Sequence, residues 1–215
     1  MSTTSGHRPS PFRWRTVDLV TAAMLGVAFG VAYWGWNQAY NLLRPLFTAV
    51  PPLGGLLGGP WLMAGVVGAL VVRRPGAAVL AELVAANVEY LLGNQWGPST
   101  LIAGVLQGLG VEIVLGLLLF RRFGPVVAAA GAALAAVLET AYEYGAYDYA
   151  TTFGTGGTLV YLLTFAVSGA LVAGVGGWLL VRALARTGAL NGFPAGRERA
   201  LAHDAARRGD AAAVR

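Results

Sequence analysis

The chain has 215 residues, 56% of them hydrophobic and 12% charged, with a formal net charge of +5 and a mean hydropathy of +0.62. A soluble domain carries about twice that charge, so the composition excludes an ordinary soluble globular fold. It has no cysteine, which excludes disulfides and cysteine-based metal or redox chemistry.

A membrane-spanning helix needs about 20 mostly apolar residues. Six stretches qualify as candidates, and the predicted class is an all-α membrane protein, a six-transmembrane-helix bundle. The first, Val17–Trp36, follows Arg8, Arg13 and Arg15 and ends near Trp34, Trp36, Asn37 and Asn41. Its apolar run is too long for a signal peptide, and five more spans follow. The second, Leu53–Val72, is followed by Arg73 and Arg74; its "GGLLGG" (Gly54–Gly59) reads as a flexible connection. The third, Gly76–Leu92, is short and carries Glu82, Asn87 and Glu89, so it is the weakest by hydropathy. A corner, "YLLGNQWGPST" (Tyr90–Thr100), then brings Gly93, Gly97 and Pro98 as turn formers, with Asn94, Gln95 and Trp96 between them.

The fourth span, Thr100–Phe120, contains Gln107 and Glu112 and is followed by Arg121 and Arg122. The fifth, Val126–Tyr147, carries Glu139 and Glu143 and ends among Tyr142, Tyr144, Tyr147 and Tyr149. The sixth, Leu159–Val181, precedes Arg182, Arg186 and an alanine- and arginine-rich tail. Residues 1–15 and 187–215 are thus expected to be tails of a single membrane domain, 16–186.

All fifteen positive charges are arginines, and fourteen fall on one side of this six-span arrangement, leaving Arg44 alone on the other. That positive-inside asymmetry predicts cytoplasmic N- and C-termini. The charge therefore reads as a topology signal, and no basic surface for nucleic acid is visible.

Acidic residues within a span ordinarily face a bundle interior or a wet cavity. With the topology above, Glu82 and Gln107 fall near mid-membrane. Glu89, Glu139 and Glu143 fall in the outer half. Glu139 and Glu143, four apart, share a helix face. Carboxylates, amides and aromatics thus converge on the outer half: Trp34, Asn37, Glu82, Glu89, Tyr90, Gln95, Trp96, Gln107, Glu139, Tyr142 and Glu143. With only Arg44 present there to neutralise the acids, the set suits a small organic cation. Plainer roles compete for several residues. Trp36, Tyr40, Tyr144 and Tyr149 read as an interfacial belt. Glu112, away from the others, reads as a structural carboxyl bonded to a neighbouring helix. Gln107 serves as helix–helix glue as readily as a contact.

No catalytic constellation stands out. The two histidines, His7 and His203, lie in the termini, and the chain has no H-E-x-x-H, P-loop or G-x-S-x-G motif. Nothing calls for a metal or another cofactor, and any uphill transport must be driven by an ion gradient or by another protein.

Three stretches carry a family resemblance. They are "VDLVTAAMLGVAFGVAYWGWN" (Val17–Asn37), Pro51–Gly97 with "RRPGAAVLAEL" and "GNQWG", and "LIAGVLQGLGVEIV" (Leu101–Val114). On these the chain resembles the YkoE family of substrate-binding S components of energy-coupling factor (ECF) transporters. The resemblance implies a six-helix subunit of an ABC-type vitamin importer that captures thiamine or its hydroxymethylpyrimidine moiety from outside. It also implies a transmembrane coupling subunit and two ATP-binding-cassette ATPases as partners. S components typically dock through small residues on helix one. The best match here is Ala22, Gly26 and Gly30, with Ala28 and Ala32 forming a second small stripe on nearly the opposite side. A self-sufficient, proton-coupled secondary transporter of a small organic cation is the competing reading. A membrane enzyme or an assembly scaffold is the weakest.

Overall fold

The computed structural model describes residues 13–201. His7, Arg8, His203, Arg207, Arg208 and Arg215, and the outer parts of both expected tails, lie outside the described residues. Helices make up most of the described residues. They are α1 (Thr16–Leu43), α2 (Met63–Val72), α3 (Ala77–Leu91), α4 (Ser99–Leu117), α5 (Pro125–Ala146), the short α6 (Tyr149–Thr152), α7 (Gly154–Ser168) and α8 (Gly177–Arg186). A π-helical stretch, Gly169–Gly176, joins α7 to α8 into one long apolar rod.

Four helices are long and apolar enough to cross a membrane among the described residues: Thr16–Phe47, Ser99–Leu117, Pro125–Ala146 and Gly154–Arg186. The expected second span is broken. Pro51–Leu57 and Gly59–Val72 meet at a 43° bend, and together they count as a fifth span only if the pair crosses as one. α3 has 15 residues. At 1.5 Å per residue it covers about 22 Å, short of the roughly 30 Å hydrocarbon core.

The break has a local cause. Prolines 51, 52 and 60 remove backbone donors, and the stretch folds into 3₁₀ turns, Pro51–Leu57 and Gly59–Leu62, before α2 begins. This corrects the reading of "GGLLGG" as a flexible connection. The segment packs directly on α7, where a Cβ on Gly55 would meet Thr164 Oγ1 at 2.5 Å and the Tyr161 carbonyl oxygen at 2.6 Å. The Ser168 hydroxyl donates to Leu56 O at 2.6 Å and accepts from Gly59 N–H at 3.2 Å, bracketing the break from α7.

Small residues bring the helices together, as is usual in membrane bundles. The helix-one stripe expected to dock a partner is used for this purpose. Ala22, Gly26 and Gly30 are buried, and a Cβ at Gly26 would sit 2.6 Å from Ala81 O and one at Gly30 2.7 Å from Ala85 O. α3 occupies that face, so Ala22, Gly26 and Gly30 are corrected from a docking surface to an internal seam. The opposite stripe, Ala28 and Ala32, is exposed, flanked by Met24, Val27 and Val31.

The arginine-bearing connections gather at one end of the bundle. Trp14 Nε1 donates to Pro75 O at 3.1 Å, and Asp18, fully buried, pairs with Arg15 and Arg74 at 2.6 and 3.4 Å. Arg73 stacks over Phe123 and pairs with Glu198. Past Arg186 the chain stays attached, because Leu190 and Phe193 are buried in the core. A short helix then runs from Pro194 to the last described residue, Leu201.

Candidate binding site

Two of the intramembrane carboxylates complete the fold. α2 starts inside the bundle, where its first N–H groups have no intrahelical acceptor and must be satisfied by the protein. Glu82, fully buried, supplies one partner: its Oε2 accepts from Gly65 N–H, and its Oε1 accepts from the Tyr33 hydroxyl at 2.9 Å. Tyr33 in turn accepts from Ala64 N–H at 2.7 Å. Glu112 does the same for α3, accepting from Ala78 N–H at 2.8 Å. The structural reading of Glu112 holds. Glu82, expected as a substrate contact, is corrected to a helix-capping group below the site, because both of its oxygens are engaged by protein.

Above this floor lies a cavity of about 590 Å³ at the end of the bundle opposite the arginine-rich loops. Its acidic side comes from α3 and α5. Glu89, one turn below the "GNQWG" corner, accepts from Asn37 Nδ2 at 2.8 Å and Trp61 Nε1 at 3.1 Å. Glu139 accepts from Gln107 Nε2 at 2.8 Å, which ties α4 to α5. One turn on, Glu143 sits beside the hydroxyls of Tyr149 and Tyr161, and its buried Oε2 has no close hydrogen-bond partner among the described residues. Asn37 Oδ1 is likewise buried without a close partner among the described residues. The first lines the cavity and the second lies behind Glu89.

Aromatic rings enclose the acids from two directions. Tyr40, Trp61 and Trp96 form a mutual edge-on cluster with centroids 5.2–5.6 Å apart. On the other side Tyr149, Phe153 and Tyr161 pack at 4.6–5.9 Å. Arg44 lines the mouth as the one cation among the lining residues. The corner owes its aim to Asn94. Its Oδ1 accepts from the N–H groups of Trp96 and Gly97 at 3.2 and 2.8 Å, and Gly93 and Gly97 adopt positive φ. That turn sends Trp96 into the cavity and Gln95 outward.

The structure thus brings together Glu89, Trp96, Gln107, Glu139, Tyr142 and Glu143 on the cavity wall, with Asn37 behind Glu89. It does not bring in Trp34, Tyr90 or Gln95, which are exposed on the outside of their helices or corner. Helical phase explains the first two: Trp34 is one residue past Tyr33, and Tyr90 one past Glu89. Tyr40 and Tyr149, read as an interfacial belt, line the cavity instead, whereas Tyr144 stays exposed. Trp61, Tyr161 and Phe165 were missed. Trp61 follows the proline of the break, and a tryptophan at an interruption in an apolar run was the available signal.

The comparisons with known proteins agree with this architecture. Residues 17–138 match the family described as "ABC-type cobalt transport system, permease component". YkoE of Bacillus subtilis (strain 168), named for a proposed role as an HMP/thiamine permease, is 34% identical over 188 residues, covering 86% of this chain and 92% of its own. A solved structure described as an S-component of an ECF transporter superposes with a TM-score of 0.85 at 30% identity. The match covers 92% of this chain and 98% of the other. This chain is a multi-pass integral membrane protein with an S-component fold, and it belongs to the YkoE family of ECF transporter S components.

Proposed function

We propose that the protein captures thiamine or its hydroxymethylpyrimidine precursor in the aromatic and acidic cavity. In this reading it serves as the substrate-binding subunit of an ECF-type importer. One observation carries the proposal: three carboxylates, Glu89, Glu139 and Glu143, and two groups of aromatic rings enclose a cavity with a single arginine at its mouth. Ring faces and carboxylates both attract an organic cation, and about 590 Å³ is within the range of small-molecule sites. The thiazolium of thiamine supplies the positive charge, and an aminopyrimidine supplies N–H donors for the carboxylates of Glu139 and Glu143. The permease name of the YkoE relative points to the same substrates.

The proposal includes the topology. Six crossings, with the short α3 and the broken second segment each counted as one, place residues 1–15 and 187–215 on the cytoplasmic side. The cavity then opens outward. The gathering of Trp14, Pro75, Phe123 and Glu198 at one end supports an even number of crossings. A coupling subunit with two ATP-binding-cassette ATPases completes the transporter. With Ala22, Gly26 and Gly30 engaged by α3, the docking face on helix one is the exposed stripe around Ala28 and Ala32.

Titration of the purified protein with thiamine and, separately, hydroxymethylpyrimidine while tryptophan fluorescence is followed tests the site. Trp61 and Trp96 report directly, and a saturable change at micromolar ligand or below is expected. A flat response to both ligands sinks the reading. Ala28→Leu is expected to weaken co-purification with the coupling subunit while leaving ligand titration intact.

A further inference from the structure

We propose that the arginine-rich end of the bundle carries a second site, which holds the phosphate headgroup of an anionic phospholipid. A second cavity, of about 450 Å³, lies there between the last turns of α2 and α8, Phe123 and the segment around Ala195. Four arginines line it, Arg73, Arg182, Arg186 and Arg199, against one acid, Glu198.

The four are not equivalent. Arg73 is occupied by Glu198, with Nη2 2.7 Å from Oε2, and lies over the Phe123 ring. Arg199 donates to Ala185 O at 3.1 Å and so closes the end of α8. Arg182 rests on the face of Trp178 at 4.6 Å, and Arg186 follows one turn later on the same side of α8. Neither Arg182 nor Arg186 has a carboxylate within ion-pair distance among the described residues. Two guanidinium groups held on one wall of a cavity repel each other until an anion lies between them. Their planar forks match phosphate oxygens in pairs.

The surroundings favour a lipid as the source of that phosphate. Val172 and Leu179 are 40% and 52% exposed, and Leu179 stands one turn before Arg182 on the same stripe of the last rod. An apolar track therefore leads from the bilayer-facing surface into a basic cavity beside a tryptophan. Basic pockets between helices at the cytoplasmic face take anionic lipid headgroups in this manner.

Native mass spectrometry of the full-length protein tests the proposal, using phosphatidylglycerol and phosphatidylcholine with identical acyl chains. Phosphatidylglycerol is expected to be retained preferentially, and millimolar inorganic phosphate is expected not to displace it. The double variant R182Q/R186Q is expected to bind phosphatidylglycerol about thirtyfold more weakly, from roughly 1 kcal/mol per arginine near the surface. Equal retention of the two lipids overturns the proposal, as does undiminished retention in the double variant. Displacement by inorganic phosphate would make this a site for a soluble anion and would also overturn it. Should R182Q/R186Q fail to fold, the lipid preference of the unaltered protein decides, with R182K/R186K expected to retain part of it.

Discussion

Glu82 and Glu139 are chemically identical and both buried inside the bundle, yet they do different work. Glu82 is saturated by Gly65 N–H and Tyr33, and Glu112 likewise holds the start of α3. These two stand in for missing helical acceptors. Glu139 and Glu143 border an open volume, with one bond from Gln107 to the first and the Tyr149 and Tyr161 hydroxyls beside the second. The difference separates carboxyls that hold the fold from carboxyls that face the cavity. What decides it is whether a helix begins opposite the side chain.

The sharpest way to break this division is to remove Glu82. Glu82→Ala strands Gly65 N–H and the Tyr33 hydroxyl in a dry interior, at about 1–3 kcal/mol per unsatisfied group. A large fall in the thermal midpoint of the purified protein is expected, with a smaller one for Glu112→Ala. If Glu82→Ala melts like the unaltered protein and only ligand affinity falls, the two classes merge.

Glu139→Gln and Glu143→Gln are expected to do the reverse. Losing a charge-assisted contact of about 1.5–3 kcal/mol weakens thiamine binding roughly ten- to hundredfold, while the melting temperature stays within a few degrees. Fluorescence titration alongside a melt separates the two effects.

The corner gives a smaller contrast between adjacent residues. Trp96→Ala removes a ring from the cavity wall and is expected to cost about 1 kcal/mol, near a fivefold loss of affinity. Gln95→Ala, facing outward, is expected to change nothing. Equal effects in a binding assay would mean that the Asn94 turn does not aim the side chains as described.

The least effect is expected at the arginine-rich end. The Arg73 guanidinium bonded to Glu198 holds that carboxyl below its ordinary range. The attachment of the last segment is therefore at full strength above the ordinary carboxylate range and is lost as pH falls through the lowered value. Glu198 is well exposed, so solvent screens the pair. Protease protection of the chain after Arg186 is expected to drop only in strongly acidic buffer, and at no pH between 6 and 8 as an order-of-magnitude window.

How much of this could be read from residues alone follows the same physics. Charge asymmetry and polar interruptions are one-dimensional signals. They located the acidic end of the bundle, and within it Glu89, Gln107, Glu139, Glu143 and Trp96. Helical phase is a second, weaker signal, and one residue of error put Trp34 in place of Tyr33 and added Tyr90 beside Glu89. Tyr161 and Phe165 lie in an apolar run that nothing in the composition distinguishes from lipid-facing helix. The role of Glu82 was beyond reach, because it depends on α2 beginning at Met63, which depends in turn on a break packed against a helix some hundred residues later. The helix-one stripe failed for a related reason. Small residues mark close approach, and the sequence does not say whether the approaching helix belongs to the same chain.

Ser168 grips the broken segment from both sides, at Leu56 O and Gly59 N. Phe165 and Tyr161, on the same helix, line the cavity. The last rod and the roof of the cavity therefore form one mechanical unit, clamped across more than a hundred residues of chain. The rod also packs on α2, where a Cβ at Gly177 would meet Val66 and Val67 at 3.2 and 3.4 Å, so a tilt of the rod reaches both the mouth of the cavity and the helix below the break.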